Sequence, residues 1–457
     1  MSSRWRPMLE EGSIERVLSL PARFIDVTFQ SSSSTTIVTK DGRAKDISTG
    51  RSSGYGIRVL DRVWGFASTN KPGDVLEAAQ RACKAAKSGD DEVPFNPRGG
   101  VVDRVSTRPR VPPAEVPLED KIELGRRAYE SIKDIDSVVS SSFTYMDSTT
   151  TKVYMNSEGT RIESDHTRVA FFASVFARRD GELQVGSERT GATAGFEFLR
   201  EPERAAEKAA GKALRLLEAK SAPSGRYRVV LDPQLTGVFI HEALGHAVEA
   251  DHVLQGESIL EGRIGEEVAS REVTVYDDPT IEGSFGFYIY DDEGTRAGRT
   301  TVIEKGVLKS YLHSRETSSR LGMENTGNAR AQGFEYQPVV RMSNTHLAPG
   351  SAELEELLEG IDHGVYLLGS KGGEVDTAKG VFQFSAEEGF LIEKGELTSP
   401  VKDVALSGET LEILKKVDAV GRGLGMHIGF CGKEGQAVPV GDGGGAIRTY
   451  ATVGGMR

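Results

Sequence analysis

Two similar stretches in the first half of the chain limit its fold more than any other feature. Residues 34–48 (STTIVTKDGRAKDIS) and 150–164 (TTKVYMNSEGTRIES) both alternate apolar and polar side chains on either side of an acidic residue followed by glycine. This pattern predicts a β-hairpin in each place. Further strand and then a helix follow each hairpin, with the helices predicted at 72–88 and 196–219. We therefore expect an internal duplication of a strand-rich unit with its packing helix, and a chance match of two hairpins is the alternative.

A segment with the composition of a linker, SAPSG at 221–225, divides the chain of 457 residues. The two predicted domains, 1–222 and 223–457, are each long enough to bury a core. The first is expected to be the duplicated, strand-rich unit with its helices. After Val273 the second is rich in short strands and turns, with one helix predicted at 352–360. It is expected to be a mainly antiparallel sheet or open barrel that carries a metal-binding helix, and the overall class is α+β.

Two more helices are predicted in the N-terminal domain from the spacing of apolar residues. They cover 13–20, with Ser13 as the N-cap, and 118–133. Between 89 and 117 proline, glycine and charged residues predominate, which predicts an extended connector on the surface.

Charge and composition exclude several classes of function. The formal net charge is −12, and an acidic surface repels phosphate backbones, so no nucleic acid is expected as a partner. No apolar run approaches the ~20 residues needed to cross a bilayer, and residues 1–11 lack the apolar core of a signal peptide. We expect a soluble, cytoplasmic protein without a membrane partner. Two cysteines provide no disulfide framework, and Cys83 is expected to be a small buried hydrophobe in a helix.

The segment LTGVFIHEALGHAVEADH contains the residues with the clearest chemistry. His241 and His246 are suited to bind zinc, and Glu242 is placed to take a proton from an activated water. In a regular helix, residues five apart point about 140° away from each other, so the two imidazoles could not reach one ion. A wide, π-type turn brings both imidazoles to the same side of the helix, and Gly245 gives the backbone freedom to form such a turn. The spacing therefore predicts a helix distortion between Glu242 and His246.

A catalytic zinc site usually has three protein ligands. Glu249 and Asp251 are candidates from the same helix, although both are also typical of outer partners that orient a ligand or of solvated positions. Cys431, in the glycine-rich stretch GFCGKEGQAVPVGDGGG, is the remote candidate, because a thiolate binds zinc strongly.

Five stretches taken together resemble the PmbA/TldD family of zinc peptidases: HEALGHAVEAD, YIYDDEGT, RMSNTHLAPG, GFCGKEGQAVPVGDGG and the closing TVGG. The intact HExxxH motif is similar to the TldD branch rather than to PmbA, also called TldE. The resemblance implies zinc bound by His241, His246 and Cys431, with Glu242 as the catalytic acid and base. It also implies degradation of unfolded or extended polypeptides in an enclosed chamber. A heterodimer with a PmbA/TldE-type subunit is the implied assembly, and a homodimer is the alternative.

Two other functions remain open at this point. One is a non-catalytic peptide-binding subunit or a structural zinc site, against which Glu242 argues, because a structural site needs no base. The other is a narrower zinc amide hydrolase. Peptide deformylases use the same residue types, but their HExxH spacing and the position of their cysteine before the histidines differ from this chain.

The other histidines have a simpler interpretation. His427 is expected to be incidental, despite its place four residues before Cys431. Four of the others are expected to be surface or core residues without ligand partners nearby: His252, His313, His346 and His363.

Three further segments carry polar groups of interest. The acidic run at 291–293 is expected to be a solvated turn, with a capping or cation-binding role as the alternative. Arg341 and Asn344 could hold a substrate backbone or could brace the sheet. The glycines at 441–445 are not expected to bind a nucleotide, because no Lys-Ser/Thr pair and no helix follow them.

Overall fold

The computed structural model describes residues 11–89 and 92–455. Residues 1–10, part of the segment predicted not to be a signal peptide, lie outside the described residues. So do residues 90 and 91 of the predicted connector. None of the helices in the described part combines the length and the apolar character needed to cross a membrane. The helices are α1 (Glu11–Leu18), α2 (Val75–Ala86), α3 (Leu118–Glu130), α4 (Pro202–Glu218), α5 (Pro233–Phe239), α6 (Ala250–Leu254), α7 (Arg315–Leu321), α8 (Leu354–Leu358) and α9 (Thr410–Lys415).

The first half of the chain forms one twisted sheet covered by helices. Its strands run β3-β2-β1-β5-β6-β4, and β7 also pairs with β6. Apolar side chains of β1, β5 and β6 pack against α1–α4 on one face, while the other face is mostly polar. The strands are β1 (Phe24–Lys40), β2 (Arg43–Leu60), β3 (Trp64–Thr69), β4 (Val102–Ser106), β5 (Val138–Asn156), β6 (Arg161–Arg179) and β7 (Glu182–Ala192).

The predicted first hairpin is confirmed. Asp41 and Gly42, both with positive φ, form a two-residue turn, and Lys40 pairs with Arg43 on either side of it. The favoured two-residue hairpin turn needs positive φ at both of its central residues, which Asp-Gly supplies.

The two strand-rich units have the same order of elements and the same close contact. β1–β3 are followed by α2, and β5–β7 by α4. A methyl group added at Gly65 in β3 would clash with the carbonyl oxygen of Ala82 in α2. The same change at Gly186 in β7 would clash with the carbonyl oxygen of Ala209 in α4. This repeated glycine-to-helix contact favours the predicted duplication over a chance match of two hairpins.

The second half contains two larger sheets. One runs β12-β11-β10-β15-β24-β23, and the other runs β17-β18-β21-β25-β9-β16-β19-β20-β8, with β22 also paired to β25. Most pairs are antiparallel, three are parallel (β15 with β24, β9 with β16, β8 with β20), and none of the described strands closes a barrel. The α+β class is therefore confirmed. The strands are β8 (Lys220–Ser221), β9 (Gly225–Leu231), β10 (Val275–Asp277), β11 (Thr300–Glu304), β12 (Val307–Leu308), β13 (Ala329–Arg330), β14 (Val339–Val340), β15 (Asn344–Leu347), β16 (His363–Leu368), β17 (Gly373–Asp376), β18 (Val381–Ser385), β19 (Glu388–Glu393), β20 (Glu396–Lys402), β21 (Val404–Glu409), β22 (Ala419–Val420), β23 (Gly425–Lys433), β24 (Gln436–Gly444) and β25 (Ile447–Gly455).

Several local predictions were wrong. The connector is extended and exposed as predicted, but it also contains β4, an edge strand that pairs in parallel with the start of β6 and was not predicted. The short helices α7 and α9 were missed beside the predicted one at 352–360. Ser13 lies inside α1 rather than at its N-cap. The domain boundary between 222 and 223 stays a prediction.

The acidic run at 291–293 is also not a solvated turn. Asp291 and Glu293 are buried, and Glu293 forms an ion pair with Arg58 of β2 at 2.9 Å. Asp292 lies 2.6 Å from Lys152 of β5. The run therefore fastens the second half of the chain to the first sheet.

Candidate metal centre

The helix that carries the two histidines begins at a well-defined cap. The apolar strand β9 ends at Leu231, and the side chain of Asp232 then accepts a hydrogen bond from the backbone N–H of Leu235 at 2.7 Å. Pro233 occupies the first helical position, where its missing N–H costs nothing. The end of β9 and the cap at Asp232 thus direct α5 into the core of the second half.

A π-helix at Ile240–Gly245 continues α5 and contains His241 and Glu242. The backbone N–H of His246 donates to the carbonyl of His241, so the two residues are joined by the wide, five-residue turn. The predicted distortion is confirmed. It brings the imidazole rings to a centroid distance of 5.3 Å, with their planes 88° apart.

Gly245 has a different role from the predicted one. Its φ of −58° and ψ of −47° are ordinary helical values, so no unusual backbone freedom is used. A side chain there would instead collide with the sulfur of Met342. Gly245 is needed because the π-helix packs directly on the strand region that contains Met342.

Cys431 reaches the same point from β23. Its Sγ lies 3.6 Å from His246 Nε2, and the ligand atoms of His241, His246 and Cys431 all lie within 4.8 Å of one another. Glu242 Oε2 lies 3.8 Å from His246 Nε2. The structure thus brings together all four residues singled out from the sequence.

The geometry of these donors fits zinc. With Zn–S near 2.3 Å and Zn–N near 2.05 Å, tetrahedral ligands lie ~3.6 Å apart, which matches the distance between Cys431 and His246. Two imidazoles and a thiolate are ligands that zinc accepts, and three protein ligands leave one position open for water or substrate.

Electrostatics also favour a thiolate here. Burial raises the pKa of Cys431, but hydrogen bonds and charge from His241 and His246 outweigh burial and lower that pKa to about 5. A deprotonated sulfur is the form that binds a metal.

Glu249 is an outer partner of the site. Its Oε2 lies 2.9 Å from His246 Nδ1, and burial is outweighed by His246 and Lys433, which lower the pKa of Glu249 to about 2. Lys433 Nζ lies 3.1 Å from Glu249 and 2.7 Å from Asp251. Glu249 therefore orients the ring of His246, and Lys433, which also pairs with Asp251, balances the charge of Glu249.

The structure corrects the interpretation of His252 and adds Lys433. His252 was expected to have no ligand partners nearby, yet it forms a compact group with Glu249 and Asp251. The ammonium of Lys433 already lies among these carboxylates. Its position two residues after Cys431, on the same side of β23, was a signal that the sequence analysis did not use.

Arg341 and Asn344 brace the sheet. Arg341 is fully buried and donates to the carbonyl oxygen of Cys431, which holds β23 in place. Asn344 accepts from Gly286 N–H at 3.0 Å and donates to the carbonyl of Asp278 at 2.8 Å. The remaining histidines lie outside the three-residue ligand group, with His313 and His346 buried and His363 exposed.

His427 and Cys83 lie apart from the site. His427 is paired with Asp442 in the β23–β24 ladder, and burial lowers its pKa to about 4. Cys83 is half-buried against the core under β1–β3, and both cysteines are free.

A cavity of about 460 Å³ opens beside His241 and Glu242. It lies between β7 and β23, which are paired only with β6 and β24 respectively among the described strands. Its lining includes His241, Glu242, Glu188, Arg189, Lys212 and Phe430. His241 and Glu242 therefore face a space bounded by two strand edges.

Comparison with known proteins identifies the class. Three profiles of the PmbA/TldA metallopeptidases match the chain: domain 1 at residues 25–86, the central domain at 111–217 and the C-terminal domain at 224–454. The chain belongs to the PmbA/TldD family of metallopeptidases.

Individual relatives agree with this assignment. A metalloprotease of Methanothermobacter thermautotrophicus is 48% identical over 97% of this chain and 98% of its own length. A metalloprotease of Methanocaldococcus jannaschii is 46% identical over 98% of this chain and 100% of its own length. A zinc metalloprotease TldD homolog of Saccharolobus solfataricus is 31% identical over 95% of this chain and 97% of its own length. The names of such relatives support the TldD branch.

Solved structures show the same fold at low sequence identity. A Thermotoga maritima protein labelled as a DNA gyrase modulator has a TM-score of 0.80 at 24% identity, over 97% of this chain and 100% of that one. TldE of Thermococcus kodakarensis has a TM-score of 0.79 at 18% identity, over 97% of this chain and 100% of that one.

Proposed function

We propose that this protein is a zinc-dependent peptidase that hydrolyses peptide bonds in unfolded or extended polypeptides. His241, His246 and Cys431 are the proposed ligands of one zinc ion, and Glu242 is the proposed catalytic residue. The observation that carries the proposal is the convergence of these three donor atoms within 4.8 Å beside the carboxylate of Glu242.

Zinc, when bound, supplies a Lewis acid that makes water nucleophilic at neutral pH. Glu242 then takes a proton from the attacking water and delivers it to the nitrogen of the leaving amine. Glu249 holds the imidazole of His246 through Nδ1, which leaves Nε2 for the metal. His241 and Cys431 are buried, which limits the access of bulk water to the site.

The substrate class is supported by the cavity between two strand edges. An extended peptide can pair its backbone with an exposed edge, which tolerates varied side chains. Folded proteins lack a free extended segment of this kind. Because a TldE protein shares the fold, we propose a PmbA/TldE-type subunit as the partner, with a homodimer as the alternative. A cytoplasmic location stays a prediction.

The decisive experiment is Glu242→Gln, loaded with zinc and assayed on unfolded casein. Loss of a general base is expected to slow cleavage about 10²–10⁴-fold while the metal content stays the same. Glu257→Gln, which alters an exposed glutamate nearby, is the matched control. Cleavage by Glu242→Gln as fast as by the parent would refute the proposal.

Two further measurements address the ligands and the alternatives. A full zinc content in Cys431→Ser would remove Cys431 from the site. Faster turnover of a formylated dipeptide than of unfolded casein would favour the narrower amide hydrolase, and zinc binding without hydrolysis of either would favour a peptide-binding subunit.

A further inference from the structure

The polar face of the first sheet lines a second, larger cavity. Because side chains alternate across a strand, residues of β1, β5 and β6 that point away from the helices face the second half of the chain. They enclose about 650 Å³ together with Arg330, Tyr288 and Pro439. The sheet side of the cavity includes Gln30, Ser32, Lys152, His166 and Arg168.

Within the described residues, two guanidinium groups of this cavity form no salt bridge to a carboxylate. Arg168 donates to the carbonyls of Phe285 at 2.9 Å and Phe287 at 3.0 Å. Arg330 donates to the carbonyls of Met342 and Pro439. Both guanidinium groups thus donate to neutral carbonyl oxygens, and Asp292 stabilises their charges only through space.

The carboxylates that line the cavity are engaged elsewhere. Asp292 is paired with Lys152 at 2.6 Å, and Asp147 with a lysine of α3 at 2.7 Å. Asp291 accepts backbone N–H groups of its own turn, and Glu335 is solvent-exposed. Burial lowers the pKa of both arginines, and the charge of Arg330 lowers the pKa of Arg168 further, while Asp292 acts in the opposite direction on both.

Unused polar atoms point to a ligand in the same space. Gln30 is 7% exposed, and its Oε1 has no partner among the described residues. The same holds for His166 Nδ1, and burial lowers the pKa of His166 to about 3, so the ring is neutral. Buried polar atoms in folded proteins are normally satisfied, so these are available to a polar ligand.

The second cavity adjoins the one at the metal centre. Phe430 lines both. Along β6, Arg168 and Ala170 face the second cavity, whereas Phe172 faces the first. Four residues of strand span roughly 13 Å, so an extended peptide needs about four residues to reach from one cavity to the other.

We propose that Arg168 and Arg330 bind a carboxylate of the peptide substrate, at least about four residues from the bond being cleaved. This inference rests on the proposed peptidase function. Guanidinium groups match carboxylates in geometry and charge, and the polar sheet face supplies further hydrogen bonds. The carboxylate comes either from the C-terminus of the peptide or from an aspartate or glutamate side chain.

Binding to zinc-loaded Glu242→Gln separates recognition from cleavage. The probes are N-acetylated, alanine-rich octapeptides measured by calorimetry: one with a free C-terminal carboxylate, one amidated, and amidated versions with a single glutamate or glutamine at each position. We expect the best acidic peptide to bind at least about tenfold more tightly than its neutral match. A preference for the free C-terminus or for an internal glutamate identifies the source of the carboxylate.

Arg168→Gln, introduced alongside Glu242→Gln, is expected to remove this preference and leave the affinity for amidated peptides unchanged. Arg126→Gln, which alters an exposed arginine paired within α3, is the control. Equal binding of acidic and neutral peptides, or binding of neither, overturns the carboxylate site, whereas casein cleavage by the parent still supports the peptidase. If Arg168→Gln does not fold, the acid-to-amide ratio on Glu242→Gln alone decides. An equal loss for both peptide types would mean that Arg168 only braces the loop at Phe285 and Phe287.

Discussion

Glu249 Oε2 lies 2.9 Å from His246 Nδ1, and the Glu249 side chain has no exposed surface. The same oxygen lies 3.1 Å from Lys433 Nζ. This carboxylate therefore fixes both the ring orientation and the tautomer of His246, while the lysine compensates its buried charge. Histidine ligands of metals commonly depend on such a partner.

Glu249→Gln is expected to weaken zinc binding about 10–100-fold, because the amide cannot supply the negative charge that makes His246 a good ligand. Competition with a chromogenic chelator measures this directly. Glu257→Gln, at an exposed position three residues after Leu254, should bind zinc as the parent does. An unchanged zinc affinity in Glu249→Gln would mean that the contact has no role in holding the metal.

Gly245→Ala is expected to destabilise the protein by about 1–3 kcal/mol and to reduce its zinc affinity. The added methyl group collides with Met342, so the π-helix must move relative to the strand region below it. Gly211→Ala in α4 is the matched control, since only the end of the Arg215 side chain lies near that position, at 3.4 Å. That control should be stabilised by up to about 1 kcal/mol. Denaturant midpoints and chelator competition measure both effects, and similar behaviour of the two variants would contradict the packing argument.

The sequence was informative where structure depends on local spacing. The spacing of five positions from His241 to His246 required a wide turn, and the π-helix supplies it. Asp41 followed by Gly42 specified a two-residue hairpin turn, which is present. In both cases neighbouring residues decide the backbone.

Contacts between distant segments were not predictable in the same way. The acidic run at 291–293 is buried because Arg58 and Lys152, more than a hundred residues away, pair with it. Without those partners, three consecutive acidic residues favour a solvated turn. The role of Lys433 likewise depends on where β23 passes behind Glu249.

The paired glycines of the N-terminal half give a test of the duplication. Gly65→Ala and Gly186→Ala are each expected to cost at least about 1–3 kcal/mol, and to a similar extent, because both methyl groups meet a helix carbonyl that cannot move alone. Gly454→Ala in β25 is the control, since no described atom lies within 4 Å of the added group. Denaturant midpoints measure the effects. A clear loss for one glycine and none for the other would show that the two units do not share this contact.

Acid is expected to destabilise the protein partly through His313, which is completely buried. Burial lowers its pKa to about 4, whereas the unfolded value is about 6.5. Between these values the unfolded chain binds a proton that the folded chain does not, so the free energy of unfolding falls as the pH falls, by about 2 kcal/mol from pH 7 to pH 5. From pH 7 to pH 5, the free energy of unfolding of His313→Gln should fall by about 2 kcal/mol less than that of the parent. The exposed His363→Gln should behave as the parent. Denaturant midpoints at both pH values measure this, and the pH dependence of zinc binding cancels because all three proteins share it. An identical pH dependence in His313→Gln and the parent would show that His313 is protonated in the folded chain as readily as in the unfolded one.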